Sequence, residues 1–341
     1  MTTAAALESK VQLCSVVSAE SGEDPIGSAW HTGHYIMLEI PLPWKYNVLE
    51  STNVPPGVPE LVQELHAQEI YPGMVGFASD EAWSVPGMTR VMDFVLPEAP
   101  FSEYARNEYL IPTDRVAELF RDSLFGGEHP ELASFKVAEN LALRDMFVCT
   151  HGAIDACCAK FGYPLFKLLR HMADKPDYNL RVWRCTHFGG HRFAATMMEM
   201  PQGRYWGHLE AHDLGPIVRR DGDTALIRKR YRGWAALPYG AAQVAEGELF
   251  RQGGWAWTEC AVAASETPPF DWENPMLEEQ SVRFDFTHPG QEVDGSVEVL
   301  VSPNGFIQTK HTSKSDEWHD AQQFTTSIVP GGGGEAFFRE P

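Results

Sequence analysis

Two short segments rich in cysteine and histidine constrain the fold of this chain more than any other feature. The first, CTHGAIDACC, covers residues 149–158, and the second, CTHFGGH, covers residues 185–191. Each segment begins where a run of strand-forming residues gives way to a loop or a helix. Both segments can therefore meet at one end of a sheet, where their thiols and imidazoles would lie together.

The elements around these segments follow a recognisable order. A helical pattern at residues 155–173 separates the two predicted strands. Two shorter strands are predicted for MMEMP and RYWGHLE, on either side of a turn at Gln202 and Gly203, and a long helix for residues 241–252. The resulting order, β-α-β-(α)-β-β-α, is that of a thioredoxin-like domain.

The regions on either side carry weaker patterns. HYIMLEI, at residues 34–40, is an apolar run of strand formers, and helices are predicted near residues 59–68 and 114–123. Beyond residue 280, VRFDF and SVEVLVS alternate as strands do.

Composition limits the class of protein. The 341 residues include 27 Lys and Arg against 47 Asp and Glu, a net charge of −20, and 43% are hydrophobic. This acidity argues against nucleic-acid binding, which needs clustered basic residues. No apolar run approaches the length of a membrane span, and the first residues do not resemble a secretory leader. We therefore expect no membrane insertion, a cytoplasmic location and reduced thiols.

The residue types in the two segments indicate a metal centre. Two thiolates with two imidazoles suit either zinc or an iron–sulfur cluster. His187 and His191 enclose Gly189 and Gly190, which favour a loop around a metal over a continuous helix. The close C-x2–4-C spacing of a zinc finger is missing, and no CxxC motif supports a thiol–disulfide oxidoreductase. The residues alone do not distinguish a zinc ion from an iron–sulfur cluster.

Both segments match known signatures. The first has C-[ST]-H, then Asp155, and a second cysteine nine positions after Cys149. The second matches [CS]-x-H-x-G-G-H-[RK]-[FY]-A, beginning at Cys185. With further blocks such as PQGRYWG and YRGWAALP downstream and CS at Cys14 upstream, the chain resembles the sucrase/ferredoxin-like family over residues 14–255. Relatives of that family include thioredoxin-like ferredoxins with two histidine ligands.

The resemblance implies a [2Fe–2S] cluster ligated by Cys149, Cys158, His187 and His191. Cys157 competes with Cys158, because adjacent helical side chains point about 100° apart and one can bind while the other packs. The nine-residue step of the family signature favours Cys158. Replacing two thiolates by neutral imidazoles makes the uptake of an electron easier, as in Rieske centres, and the outer imidazole proton can couple the potential to pH.

These inferences predict an α/β fold with two thioredoxin-like subdomains, a mixed sheet flanked by helices, and a small C-terminal β extension. The predicted units are a degenerate thioredoxin-like domain without a cluster at 1–130, a thioredoxin-like [2Fe–2S] ferredoxin domain at 137–260, and a β extension with a flexible tail at 275–341.

The predicted function is one-electron transfer rather than the transformation of a substrate. No paired carboxylates stand out that would support the sucrase half of the family name. The expected partners are a reductase with a basic patch and an unknown electron-acceptor protein, because the chain itself is acidic. The alternative is a zinc-stabilised Cys2His2 binding module that uses the same four residues and has no redox role.

Overall fold

The structure is a computed structural model that describes residues 12–331 and 334–338, except for 128, 138–142, 176–177, 266, 269–270, 272–275 and 291–292. The flexible tail predicted at the end of the chain falls partly on residues 332–333 and 339–341, which lie outside the described residues. No helix in the described part has the length and apolar character needed to span a bilayer.

Helices and strands alternate through most of the chain. The helices are α1 (Cys14–Ser21), α2 (Val58–Ala67), α3 (Val116–Phe125), α4 (Tyr163–Ala173), α5 (Leu214–Arg219) and α6 (Ala241–Trp257). The first nine strands are β1 (His34–Glu39), β2 (Gly73–Phe77), β3 (Met88–Val95), β4 (Ala105–Pro112), β5 (Arg144–Cys149), β6 (Leu180–Cys185), β7 (Met197–Met200), β8 (Arg204–Trp206) and β9 (Tyr231–Trp234). The last four are β10 (Ala261–Ala264), β11 (Gln280–His288), β12 (Val293–Thr309) and β13 (His319–Val329). This content confirms the predicted α/β class.

One large mixed sheet contains two halves of the same design. Its strand order is β4-β3-β1-β2-β6-β5-β7-β8-β9. In the first half β1 runs parallel to β2 and antiparallel to β3, and in the second half β5 runs parallel to β6 and antiparallel to β7. The halves meet where β2 and β6 pair antiparallel, at Phe77 and Cys185. Each half has the strand order of a thioredoxin-like sheet, as predicted, whereas the exact domain boundaries remain a prediction.

In the first half of the sheet, the apolar residues of the strands and helices follow the spacing expected for a sheet that is covered by helices. In β1 every residue after His34 is buried, as expected for a strand that lies inside a sheet. Helix α2 buries an apolar stripe at helical spacing, made of Val58, Leu61, Val62 and Leu65. The helix predicted at 114–123 begins later, at Val116, because residues 113–115 form a 3-10 turn.

Helix α6 lies between the large sheet and a second sheet. Its residues from Ala241 to Phe250 are buried, and it contacts β9 on one side and β11, β12 and β13 on the other. The second sheet is antiparallel, in the order β10-β11-β12-β13. Strand β11 alternates buried and exposed residues, which is typical of a sheet with one covered face. The predicted C-terminal β extension is therefore present, and the second sheet contains two further strands, β10 and β13, that the sequence patterns do not predict.

A buried network of charges connects the two halves of the large sheet. The guanidinium of Arg181, in β6, donates to both carboxylate oxygens of Glu108, in β4, at 2.8 and 2.9 Å, and to Asp145, in β5, at 2.7 Å. Arg90 and Arg106 also pair with Glu108. Burial alone would raise the pKa of the Glu108 carboxyl, but its arginine partners outweigh that effect and lower the pKa to about 2.

We expect Glu108→Gln to destabilise the chain by about 3–5 kcal/mol at neutral pH, because it leaves buried arginines without their shared carboxylate. The pKa of Glu108 is lower in the folded state than in the unfolded state. The stability that its ionised carboxylate contributes is therefore present above about pH 4.5 and lost as the pH falls towards 2. In that pH window the free energy of unfolding of the variant should change less with pH than that of the unmodified chain. Urea unfolding at several pH values measures both effects.

Glu64→Gln is the matched control, since Glu64 pairs with Arg121 at the surface. It should leave the free energy of unfolding nearly unchanged. Equal unfolding curves for the two variants would contradict the role given to the buried network.

Candidate metal centre

The parallel pairing of β5 and β6 brings the two cysteine- and histidine-bearing segments to one end of the large sheet. Cys149 and Cys185 are partners in the register and are the last residues of their strands. The chain after each strand therefore leaves the sheet at the same edge, and the structure agrees here with the expectation from sequence. Cys185 itself is buried in the main hydrophobic core.

Three of the four predicted ligands lie together at this edge. The Sγ atoms of Cys149 and Cys158 lie 3.9 and 3.8 Å from Nδ1 of His187, and the three atoms are within 4.8 Å of one another. Both thiols are buried, whereas His187 is half-buried. We call these three residues the first donor group.

A glycine allows the approach of Cys158 to the end of β5. Residues Cys158–Gly162 form one wide π-helical turn, which leads into α4. A Cβ atom at Gly162 would lie 1.9 Å from the carbonyl oxygen of Cys149, so no other residue fits without moving the turn. The helix start can therefore pack directly against the strand end that carries Cys149.

The two thiols of the first donor group do not ionise independently. Burial disfavours the thiolate of Cys149, but hydrogen bonds from Cys158 and His187 outweigh it and hold the pKa of Cys149 well below its usual range. The pKa of Cys158 is raised by its hydrogen bond to Cys149 and by burial. A second thiolate at this site is unfavourable without a cation, and a metal ion would supply the missing positive charge.

His191 lies beside the first donor group, in contact with a second one. Its ring centroid is 5.1 Å from that of His187. Its Nδ1 lies 3.5 Å from Sγ of Cys14 and 3.8 Å from a carboxylate oxygen of Asp155. Cys14, Asp155 and Cys157 form the second donor group. Burial, more than the nearby charges, lowers the pKa of His191 to about 4, so its ring is neutral at pH 7.

The adjacent cysteines point into different groups. Cys158 faces Cys149 and His187, whereas Sγ of Cys157 lies 3.6 Å from Sγ of Cys14, in α1. From the sequence, Cys157 is expected only as a competitor of Cys158 for the ligand position, and Cys14 is not predicted at the site. The CS motif at Cys14 was the available signal, but nothing in the sequence links it to a residue so far along the chain.

The loop between β12 and β13, residues 310–318, covers the second donor group, and we call it the cover loop. Asp155 accepts hydrogen bonds from the backbone N–H and hydroxyl of Ser313, at 2.9 and 2.8 Å, and from the hydroxyl of Thr312. It also accepts from the backbone N–H of Cys157. Burial opposes its ionisation, yet these donors lower the pKa of Asp155 to about 2. Asp155 therefore holds the C-terminal sheet against the site.

His151 supports the loop that carries His187. Its Nδ1 faces the backbone N–H of His187 at 3.4 Å, and its Nε2 lies 2.7 Å from the carbonyl oxygen of Lys45. With Nε2 protonated, the ring donates to Lys45 and accepts from His187. His151 thus joins the segment that follows β1 to the first donor group.

The fold and this site define a thioredoxin-like α/β protein with a buried group of cysteine and histidine donors. The family model described as sucrase/ferredoxin-like matches residues 25–233. Because this match spans more than half of the chain, the chain belongs to the sucrase/ferredoxin-like family. The matched range contains the first donor group and His191, but neither Cys14 nor the C-terminal sheet.

Other comparisons are more distant. A thioredoxin-like [2Fe–2S] ferredoxin from Aquifex aeolicus aligns with 23% of this chain and 78% of its own, at 15% sequence identity and a TM-score of 0.21. No curated protein matches the chain.

We expect Asp155→Asn to release the cover loop. An asparagine side chain has one acceptor oxygen in place of two and adds an N–H2 group that faces the donors of Thr312 and Ser313. Trypsin should then cleave after Lys310 and Lys314 faster than in the unmodified chain, and iodoacetamide should reach Cys14 and Cys157 sooner. Digestion followed by mass spectrometry measures both rates.

Asp316→Asn is the control, since Asp316 is exposed on the same loop and pairs with Lys310. It should not accelerate alkylation of the two thiols. If both variants alkylate at the same rate, Asp155 does not hold the loop.

Proposed function

We propose that this chain is a one-electron carrier that holds a Rieske-like [2Fe–2S] cluster through Cys149, Cys158, His187 and His191. The observation that carries the proposal is the first donor group, three soft or imidazole donors within 4.8 Å, with the ring of His191 next to it. Membership of the sucrase/ferredoxin-like family supports it.

The chemistry of these donors fits the cluster. When bound, a [2Fe–2S] cluster accepts and releases one electron at a time. Two ferric ions, two sulfides and two thiolates are neutral overall if both imidazoles are neutral. The lowered pKa of His191 agrees with a neutral ring at that position. Burying a neutral assembly costs much less free energy than burying a charged one.

The imidazoles form the side of the centre nearest to solvent. The side chain of His191 is 19% exposed and His187 is half-buried, whereas both thiols are inaccessible. We infer that electrons pass through this side, and that the outer ring nitrogens can exchange a proton. A potential that falls with rising pH, towards about 59 mV per unit, would support this coupling, and a flat titration would exclude it.

A zinc site is the second candidate function. Donors around one tetrahedral zinc ion lie about 3.6 Å apart for a thiolate and an imidazole. The separations of 3.8 and 3.9 Å in the first donor group are close to that value. The same residues would then stabilise a binding module without a redox role.

The proposed partners are a reductase with a basic patch and an electron-acceptor protein. A chain of net charge −20 would attract such a patch, and its reduction should then slow as salt is raised. A rate that does not respond to salt would count against this steering.

We expect purified protein to contain iron and sulfide and to give a Rieske-like electron paramagnetic resonance spectrum after dithionite reduction. Cys149→Ser or Cys158→Ser should lose most of the cluster, because each removes a thiolate ligand. His191→Cys should retain a cluster at a lower potential, because a thiolate adds negative charge.

Cys157→Ser is the matched control, since Cys157 is adjacent in sequence and equally buried but faces the second donor group. It should leave the spectrum nearly unchanged. Loss of the cluster in Cys157→Ser but not in Cys158→Ser would move the ligand to Cys157. A colourless protein with one zinc ion would support the second candidate.

A further inference from the structure

A cavity of about 580 Å³ borders the first donor group. His187 is the one proposed ligand among its lining residues, which also include Phe188, Gly189, Gly190, Arg192 and Phe193 of the same loop and Gly27, Ser28 and Trp30 from the N-terminal part of the chain. Its volume is in the range of pockets that hold small organic molecules. The electron-transfer proposal makes no use of this cavity.

Arg232, in β9, lines the cavity and has no carboxylate partner among the described residues. It is 2% exposed, and three of its N–H groups donate to the carbonyl and hydroxyl of Ser28 and to the carbonyl of Gly189. Within the described residues, no carboxylate lies at ion-pair distance from it. Burial lowers the pKa of its guanidinium to about 10, which still leaves the group charged at pH 7.

The other buried arginines differ in this respect. Arg90 pairs with Glu108, Arg181 with Glu108 and Asp145, and Arg204 with Glu246. Arg232 is instead placed near two aromatic rings, with Cζ 5.5 Å from the ring centre of Phe193 and 5.4 Å from that of Tyr205. Such contacts compensate a buried charge only in part.

The loop of the site is shaped around this arginine. A Cβ atom at Gly190 would lie 2.6 Å from Cζ of Arg232, and the φ angle of Gly190 is +73°. The glycine that separates His187 from His191 thus permits the guanidinium to pack against the loop. A ligand bound to Arg232 in this cavity would therefore lie near His187, one of the proposed ligands of the metal centre.

The lining is largely aromatic, and none of the described residues that line the cavity is acidic. Trp30, Phe188, Phe193 and Tyr239 line the cavity, together with a second cation, Arg192, which pairs with Glu23. A net positive cavity is unusual in a chain of net charge −20, because most surfaces of such a chain repel anions.

We propose that this cavity binds a small aromatic carboxylate, with its carboxylate on Arg232 and its ring against the aromatic side chains of the lining. Arginine presents a planar pair of donors that matches a carboxylate, and the aromatic side chains favour a flat apolar body. Binding does not require a cluster. Its coupling to electron transfer rests on the proposed function, since a bound negative charge beside the centre would lower the potential.

The test is isothermal titration of the purified chain with benzoate, 2-naphthoate and the neutral analogue benzamide. We expect saturable binding of both carboxylates and at least tenfold weaker binding of benzamide. Arg232→Gln should weaken the binding of the carboxylates by about 10–100-fold, the loss typical of a charge-assisted hydrogen bond. Arg219→Gln, at an exposed arginine paired with Asp221, is the control and should bind as the unmodified chain does.

Trp30→Leu provides a second variant in case Arg232→Gln does not fold. This variant keeps the charge of Arg232 and removes aromatic surface, so it should weaken the binding of 2-naphthoate more than the binding of benzoate. The proposal is overturned by equal binding of benzoate and benzamide, by unchanged affinity in folded Arg232→Gln, or by an absence of saturable binding of either carboxylate in the millimolar range. Equal effects of Trp30→Leu on both carboxylates would also overturn the proposed pose.

The same titrations on metal-free and metal-loaded protein separate this proposal from the proposed function. Carboxylate binding by protein that never acquires a cluster would leave the cavity proposal intact and remove the electron carrier. In cluster-loaded protein, saturating benzoate should lower the potential of the unmodified chain and leave that of Arg232→Gln unchanged. A potential that does not respond in either protein would overturn the coupling.

Discussion

The parallel pairing of β5 with β6 is the constraint on which the rest of the site depends. Parallel neighbours end at the same edge of a sheet, so Cys149 and the loop after Cys185 leave the large sheet side by side. The crossover between them begins at that edge with the π-helical turn that carries Cys158, and α4 then leads the chain back to the start of β6. Three donors from separate parts of the sequence are therefore brought to one edge by the strand pairing and the turn that follows β5.

Two glycines allow the segments that follow these strands to pack closely against their neighbours. Gly162 lets the turn after Cys158 rest on the carbonyl oxygen of Cys149, and Gly190 lets the histidine loop rest on Arg232. Neither position tolerates a Cβ atom at the observed distances. The close approach of Gly162 to Cys149 thus sets the spacing of the donors, and the close approach of Gly190 to Arg232 sets the shape of the cavity.

The sequence predicted what local patterns determine. Strands β5 and β6, the helix between them and the edge at which their ends meet follow from hydrophobic runs and glycine breaks. Cys14, the cover loop and Arg232 could not be predicted, because their place at the site depends on tertiary packing between distant segments. Cys14 and Ser313 come from opposite ends of the chain, yet the backbone N–H of Cys14 donates to the hydroxyl oxygen of Ser313 at 3.0 Å. The hydrophobic periodicity of the sequence does not predict such a contact.

Charge placement gives the two sides of the site different chemistry. Around the second donor group, Asp155 is a buried anion satisfied by the N–H and hydroxyl groups of the cover loop, so this side is closed and tied to the C-terminal sheet. On the cavity side, Arg232 is a buried cation whose partners in the described part of the chain are carbonyl and hydroxyl oxygens rather than carboxylates. A buried ion without a counter-ion reduces stability, and an anion from solution can offset that cost only where space remains for it. That space lies beside His187, so any anion that enters it alters the electrostatic potential at the proposed centre.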